Sequence, residues 1–408
     1  MKQRYNDLTE DLCCDSVRNY FSGKWAREEC LQAAEEYAGI PRRELLKELR
    51  EGKTALKEEV IKNIGYEMFT RLTRLLQGKR NALELFPVIV RPRRDGMNGK
   101  MRDITLCCIF HQLFGHLLIL GLKPLLRAHL LPFQFASIPK RGQTGLKKYV
   151  MRKLRKKSLN IRCAQKTDVV HAYASTNYTL IIQFIQKEIP SAKWIIAVLS
   201  ELAKMSPSGC LIIGGYADAW LFNYMMSYAM RYAKEQSKVR REKKTPLIKS
   251  IVSFMDDFGF LGSRLADVKR DIKLVNEFLK RQMNLQIKNG KETRFVSIAE
   301  EKRRKKETSA AKRKCPFFDV AGYQMSFGHV SIRKQIFKRV RRTFLRAFVE
   351  LVTTFTICIQ RARKVVAHFG FFKQTNSKKI RRKLQADYIH AAARRIISHY
   401  QKIKNAEA

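Results

Sequence analysis

The sequence predicts an α+β protein of more than one domain, in which short antiparallel strands carry a cluster of acids and a basic helical tail follows. Three observations predict it. Apolar residues recur at helical spacing through 25–37 and 57–76, and again from 331 onward. Two short β-rich segments, 161–170 and 250–262, stand among longer helical stretches. Lys and Arg total 82 against 36 Asp and Glu, a net charge of +46 over 408 residues, which repels itself unless a polyanion neutralises it. The usual polyanion is nucleic acid, gripped through its phosphates. A ribosomal or packaging protein would share the charge but would need no acidic cluster.

The elements follow in order. Residues 1–80 read as helices, with charge on their outer faces. FPVIV (86–90) reads as a strand, and DGMNGK supplies the Asp, Gly and Asn of a hairpin turn between two basic strands. Helix continues to about 130. The most apolar stretch, 109–133, is interrupted by His111, His116, Lys123, Arg127 and His129, and reads as a buried helix pair instead of a membrane span. Helices are expected at about 177–189 and 216–236. The basic runs 237–249 and 302–314 are poor in apolar residues and read as exposed loops or insertions. From 331 the chain is helical and strongly basic, with a last helix to about 404. Nine cysteines without a C-x-x-C pair argue against a zinc site or disulfide framework and fit a reducing cytosol. The first residues, MKQRYNDLTEDLCC, hold no apolar signal core.

The chemistry lies in SIVSFMDDFGFLGS (250–263), where two short strands flank Asp256 and Asp257. Adjacent carboxylates at a hairpin tip repel, and taken alone they suit a solvated turn. The apolar residues on both sides make this turn the tip of a core hairpin, where a divalent metal is the simplest partner for the charge. Upstream, Asp168 in KTDVVHAYAST follows a β-type segment and can face that tip across a sheet. Three carboxylates so placed suit two metal ions about 4 Å apart, the arrangement for in-line phosphoryl transfer.

D-V-x-x-A-Y at 168–173 followed by F-M-D-D at 254–257 resembles the first and third palm motifs of reverse transcriptases, over roughly residues 85–325. The resemblance implies a right-hand polymerase fold. It comprises a helical N-terminal segment (1–80), fingers (81–160), a palm of antiparallel sheet plus helices (161–325) and a basic helical thumb (326–408). It implies two Mg²⁺ ions, with Mn²⁺ able to substitute, held by Asp168, Asp256, Asp257 and the carbonyl of Val169. Tyr173 falls at the sugar gate that would clash with a ribose 2′-hydroxyl, and His171 reads as structural. SGCLIIGGYADAWLFNYMMSY (208–228) resembles the second palm motif, with Gly214 near the nucleotide and Asn223 near the template. Asp218 and Ala219 depart from the usual Ser and Gln or Pro. G-K-x-R-x-I in the finger segment assigns Lys100 and Arg102 to the triphosphate. SIPKRGQTGL (137–146) puts Arg141 and Gly142 near template or nucleotide. MNLQIKNGKETRFVSI (283–298) places Lys288 or Lys291 near the triphosphate, and DVAGYQMS (319–326) resembles a primer-grip hairpin with Gly322 and Tyr323 on the primer.

Nothing past the thumb is long enough for a nuclease, maturase or integrase domain. The N-A-x-x-H and V-T-G elements of retron enzymes and the I-G-N-x-x-S-Q of diversity-generating enzymes are missing. The chain therefore resembles the compact bacterial and phage group that includes defence-associated reverse transcriptases, nearest the type 2 kind, to which HFGFFKQTNSKK (368–379) is similar. The partners so implied are dNTPs, a structured noncoding RNA template and an RNA–DNA hybrid product, with no membrane. Other phage or mobile-element reverse transcriptases, diversity-generating ones included, an untemplated DNA polymerase and a catalytically silent RNA-binding protein remain alternatives.

Overall fold

The computed structural model describes residues 4–94, 101–306 and 315–407. Four helices come first: α1 (Glu10–Phe21), α2 (Glu28–Ala38), α3 (Arg42–Glu51) and α4 (Ala55–Leu76). Thr9 caps α1 by accepting from the Leu12 amide, and Glu10 and Asp11 complement the helix dipole. The close approach of α1 to α4 requires Gly65, because a Cβ there would lie 2.5 Å from Cys14 Sγ.

β1 (Ile89–Arg94) and β2 (Met101–Leu106) form the expected basic hairpin, with Arg93 opposite Arg102. Its tip, including Lys100, lies outside the described residues. The strand begins at Ile89, later than expected, and Phe86 is exposed. α5 (Ile109–Gly121) and α6 (Lys123–His129) are bent by 62° and bury most of their apolar residues, so the apolar stretch is a core helix pair. No single helix among the described residues is long and apolar enough to cross a membrane.

α7 (Gln143–Arg155) leads through a 3₁₀ turn into β3 (Cys163–Val169), followed by α8 (Ala172–Ser175), α9 (Tyr178–Glu188), α10 (Lys193–Met205) and α11 (Tyr216–Glu235). β4 (Ser237–Arg240) and β5 (Lys243–Pro246) pair as a hairpin, so the first basic run is an ordered ribbon instead of a loop, anchored by Lys238 on Asp267. Next come β6 (Ser250–Phe254), β7 (Asp257–Gly262), α12 (Leu265–Met283), β8 (Ile287–Arg294) and α13 (Ile298–Lys306). The described part of the second basic run is therefore helical, with Arg303 and Arg304 both paired to Glu300.

β9 (Phe318–Val320), β10 (Tyr323–Met325) and β11 (Val330–Ile332) make a small sheet. Residues 331–332, expected as helix, belong to it. α14 (Lys334–Thr354), α15 (Ile359–Lys373), α16 (Lys378–Lys383) and α17 (Ala386–Glu407) complete the chain.

The central sheet has the order β6-β7-β3-β8, antiparallel throughout. In β3, Gln165 and Thr167 are buried while Lys166 and Asp168 are half-buried, so the strand's period of two sends Lys166 and Asp168 to the same, open face. Phe258 and Phe260 of β7 are fully buried, each worth about 2 kcal/mol of apolar burial. α12 packs Val268, Ile272, Val275 and Leu279 inward against the sheet, and α11 runs through the core with Leu221, Phe222 and Met225 buried.

Candidate active site on the central sheet

The β6–β7 turn consists of Met255 and Asp256, since Phe254 pairs with Asp257. Met255 has φ 56°, a left-handed conformation uncommon for a Met. The Val169 amide donates to the Asp256 carbonyl at 3.1 Å and ties the turn to the end of β3. Asp168 is the direct cross-strand partner of Asp257 on one side and of Lys288 on the other. One row across the sheet thus reads Asp257, Asp168, Lys288, with Asp256 at the tip beside it.

These acids perturb one another. Burial, then the charges of Asp257 and Asp168, push Asp256 up to about 6. Burial also raises Asp257, opposed chiefly by Lys166, whose Nζ lies 2.6 Å from Asp257 Oδ1. Arg333 adds positive potential at Asp257 while gripping Asp319 through Nε at 2.8 Å. Among the described residues no group of three or more His, Cys, Asp or Glu is arranged to hold a metal ion. The ion pair supplies a physical reason, for Asp257 already has a cation. The donors nevertheless suit a hard ion: the three side chains are carboxylates, and burial, followed by the charges of its two neighbours, raises Asp256 to about 6.

Sequence reading missed Lys166 and Arg333. Lys166 had a legible signal, two residues before Asp168 on a strand and hence on the same face. Arg333 had none.

No protein-family model matches the chain, and no curated protein matches it. The site therefore rests on its geometry.

Tyr173 lies beside the acids. Its ring stacks on Phe222 at 5.4 Å between centroids, and its hydroxyl reaches Met255 Sδ at 3.9 Å. Burial, with the charges of Asp218 and Asp256, raises its pKa. The preceding His171 takes φ 46° at the N-terminus of α8. Lys288 and Arg102 are exposed, and Lys291 sits 4.2 Å over the Phe317 ring.

Several other motif residues make contacts within the fold. Gly214, at φ 139°, has its open side filled by Thr105: a Cβ would lie 2.2 Å from the Thr105 carbonyl oxygen, and the Thr105 amide donates to the Ile213 carbonyl at 2.8 Å. The glycine turn is thus clasped to the basic hairpin. Asp218 is buried and accepts from the Ile212 amide and the Tyr178 hydroxyl, both at 2.8 Å. Burial pushes it up to about 6 against those two bonds. It braces the glycine turn.

Asn223 was expected near the template. It is 1% exposed, its amide donates to the Ala136 and Ala219 carbonyls at 3.0 and 2.9 Å, and it holds the 134–136 segment. Arg141 likewise donates to the Leu131 and Gln134 carbonyls and braces the same segment, which lies alongside β6 through Phe135 and Ser253. Gly142, at φ 90°, donates its amide to Phe135 at 2.7 Å and starts α7. Gly322 and Tyr323, expected on the primer, are both buried. A Cβ on Gly322 would meet Ile336 at 2.9 Å, and the Tyr323 ring packs 5.7 Å from that of Phe371. Packing within the fold engages the side chains of Asn223, Arg141 and Tyr323, and the open face carries Lys166, Asp168, Asp257 and Lys288, with Asp256 at the turn beside them.

Proposed function

We propose that this chain is an RNA-directed DNA polymerase of the reverse-transcriptase type. The observation that carries the reading is the row of Asp257, Asp168 and Lys288 across three antiparallel strands, with Asp256 at the adjoining turn. In this reading Asp168, Asp256 and Asp257, with the Val169 carbonyl, would hold Mg²⁺. The ions would supply charge for a 3′-hydroxyl attacking a triphosphate and for the departing pyrophosphate.

The chain's own residues supply the rest. Lys288 stands beside Asp168 where a triphosphate would lie, and Arg102 on the basic hairpin offers a planar fork to phosphate. Tyr173, held by Phe222 and Met255, would stand against the sugar and exclude a 2′-hydroxyl. Residues 81–160 serve as fingers, the sheet and its helices as palm, and 326–408 as a basic thumb along a duplex. A structured RNA as dedicated template, and a role in defence against phage, extend this reading. The nine free thiols suit a reducing cytosol.

A second reading is favoured by one observation. Asp257 is engaged by Lys166, and no metal-holding group is arranged among the described residues. A catalytically silent RNA-binding protein would look the same. Incubating the protein with primed RNA, Mg²⁺ and labelled dNTPs separates the two. The polymerase reading expects incorporation that follows the template sequence. Tight RNA binding without incorporation would support the silent reading, and incorporation indifferent to template would mark an untemplated polymerase.

A further inference from the structure

The facing sides of α14 and α15 carry cations that the proposed chemistry does not use. Arg339, Arg342 and Arg346 on α14 and Arg361 and Lys364 on α15, with Thr343 and His368, line a cavity of about 420 Å³. Glu350, at one end of the seam, is paired with Arg361. Arg342, Arg346 and Lys364 have no ion-pair partner among the described residues. His368 Nδ1 meets Thr343 Oγ1 at 3.2 Å and joins the two walls. Burial, then Lys364 and Arg339, hold this imidazole below its ordinary pKa, which leaves it neutral beside the cations.

A packed helix–helix seam ordinarily sets apolar or opposite charges against each other. Here Arg339 and Arg361 are half-buried, while Arg342, Arg346 and Lys364 are exposed, so solvent screens much of the repulsion between the walls and leaves these three accessible to a ligand. α14 and α15 pack together and bury Val340, Phe344, Ala347, Ala362 and Val365, which sets the two basic walls side by side. An anion seated between the walls would meet positive charge from both sides. Arginine forks on one wall, a lysine on the other and a hydroxyl between them match a group with several phosphate oxygens.

We propose that the α14–α15 pocket binds a multiply charged phosphate group of the pyrophosphate or triphosphate type. The same chemistry has two sources, the terminal phosphates of an RNA and a free polyphosphate. The pocket uses none of the sheet's acids but lies in the segment that the polymerase reading makes the thumb, so the test reads phosphate binding and needs no polymerase activity.

The test compares the full chain with Arg346→Gln/Lys364→Gln and with a control, Lys378→Gln/Lys379→Gln, which removes two exposed cations from α16. Inorganic tripolyphosphate is titrated calorimetrically at constant ionic strength. Saturable binding is expected, weakened about tenfold or more in the seam variant and unchanged in the control. Absence of saturable binding, or equal weakening in both variants, overturns the proposal. RNA bearing a 5′-triphosphate, compared with the same RNA bearing a 5′-hydroxyl, separates the sources. A triphosphate preference that disappears in the seam variant assigns the pocket to an RNA end. Equal binding of the two RNAs, with tripolyphosphate still bound in the seam, assigns it to a free polyphosphate.

Discussion

Asp271 provides a test of the packing that does not depend on function. It lies on the inward face of α12 with Val268, Ile272 and Val275, is 0% exposed, and neither carboxylate oxygen has a hydrogen-bond partner among the described residues. Burial pushes its pKa from the ordinary 3.8 up to about 8. A folded-state pKa raised above the unfolded value means that the unfolded chain releases this proton first. The carboxyl therefore costs nothing below about pH 4, costs more as pH rises to about 8, and costs a constant amount above that. Four pH units at 1.36 kcal/mol each give a penalty of about 5 kcal/mol at pH 8 and under about 2 kcal/mol at pH 5. Asp271→Asn keeps the shape and removes the titration. Its melting temperature should exceed that of the wild type by roughly 10 °C at pH 8, with the gap narrowing to a few degrees at pH 5. Melting curves of both proteins across this range provide the assay. A gap that does not change with pH would refute the reasoning.

Other predictions concern the open face. Lys166→Met removes the cation that occupies Asp257, so Mn²⁺ binding followed by electron paramagnetic resonance should tighten several-fold; unchanged binding would show that Lys166 does not compete with a metal. Tyr173→Ala should admit ribonucleotides while Tyr173→Phe should not, measured as the rNTP to dNTP incorporation ratio on one primed RNA. An unchanged ratio in an active Tyr173→Ala enzyme would leave Tyr173 a packing residue against Phe222. Neutralising Arg303, Arg304, Lys305 and Lys306 together should weaken a cognate structured RNA more than a generic hybrid duplex of equal length at matched salt. The pairing of Arg303 and Arg304 with Glu300 already reduces the charge they present, and equal losses would remove the support for a dedicated template.

Local pattern in the sequence located β3, β6 and β7: apolar runs flank Asp256 and Asp257 on both sides, and the β-rich stretch 161–170 carries Asp168 near its end, features that depend only on local spacing. α10 was missed: WIIAVLSELA begins with a β-branched run in which helix and strand periods are hard to separate. The acids of the site were legible because carboxylates at strand ends are rare without a partner. The packing of Asn223, Gly322 and Tyr323 was not: each meets a partner distant in sequence, such as Asn223 with Ala136 or Gly322 with Ile336, and residue type does not disclose burial. The ordered β4–β5 hairpin was concealed for a similar reason: its strands are held by backbone bonds and by Lys238 on Asp267, while its side chains read as a solvated basic run.

The central claim is that Asp168, Asp256 and Asp257 form one catalytic cluster. Asp257→Asn and Asp256→Asn each remove a charge from it without changing shape, and circular dichroism establishes that the variants fold. Mg²⁺-dependent dNTP incorporation on a primed RNA is the direct measurement, with wild type alongside. The account predicts a loss of at least about 100-fold in both variants, the scale of removing an electrostatic stabiliser from the reacting centre. Incorporation at the wild-type rate by either folded variant would contradict it.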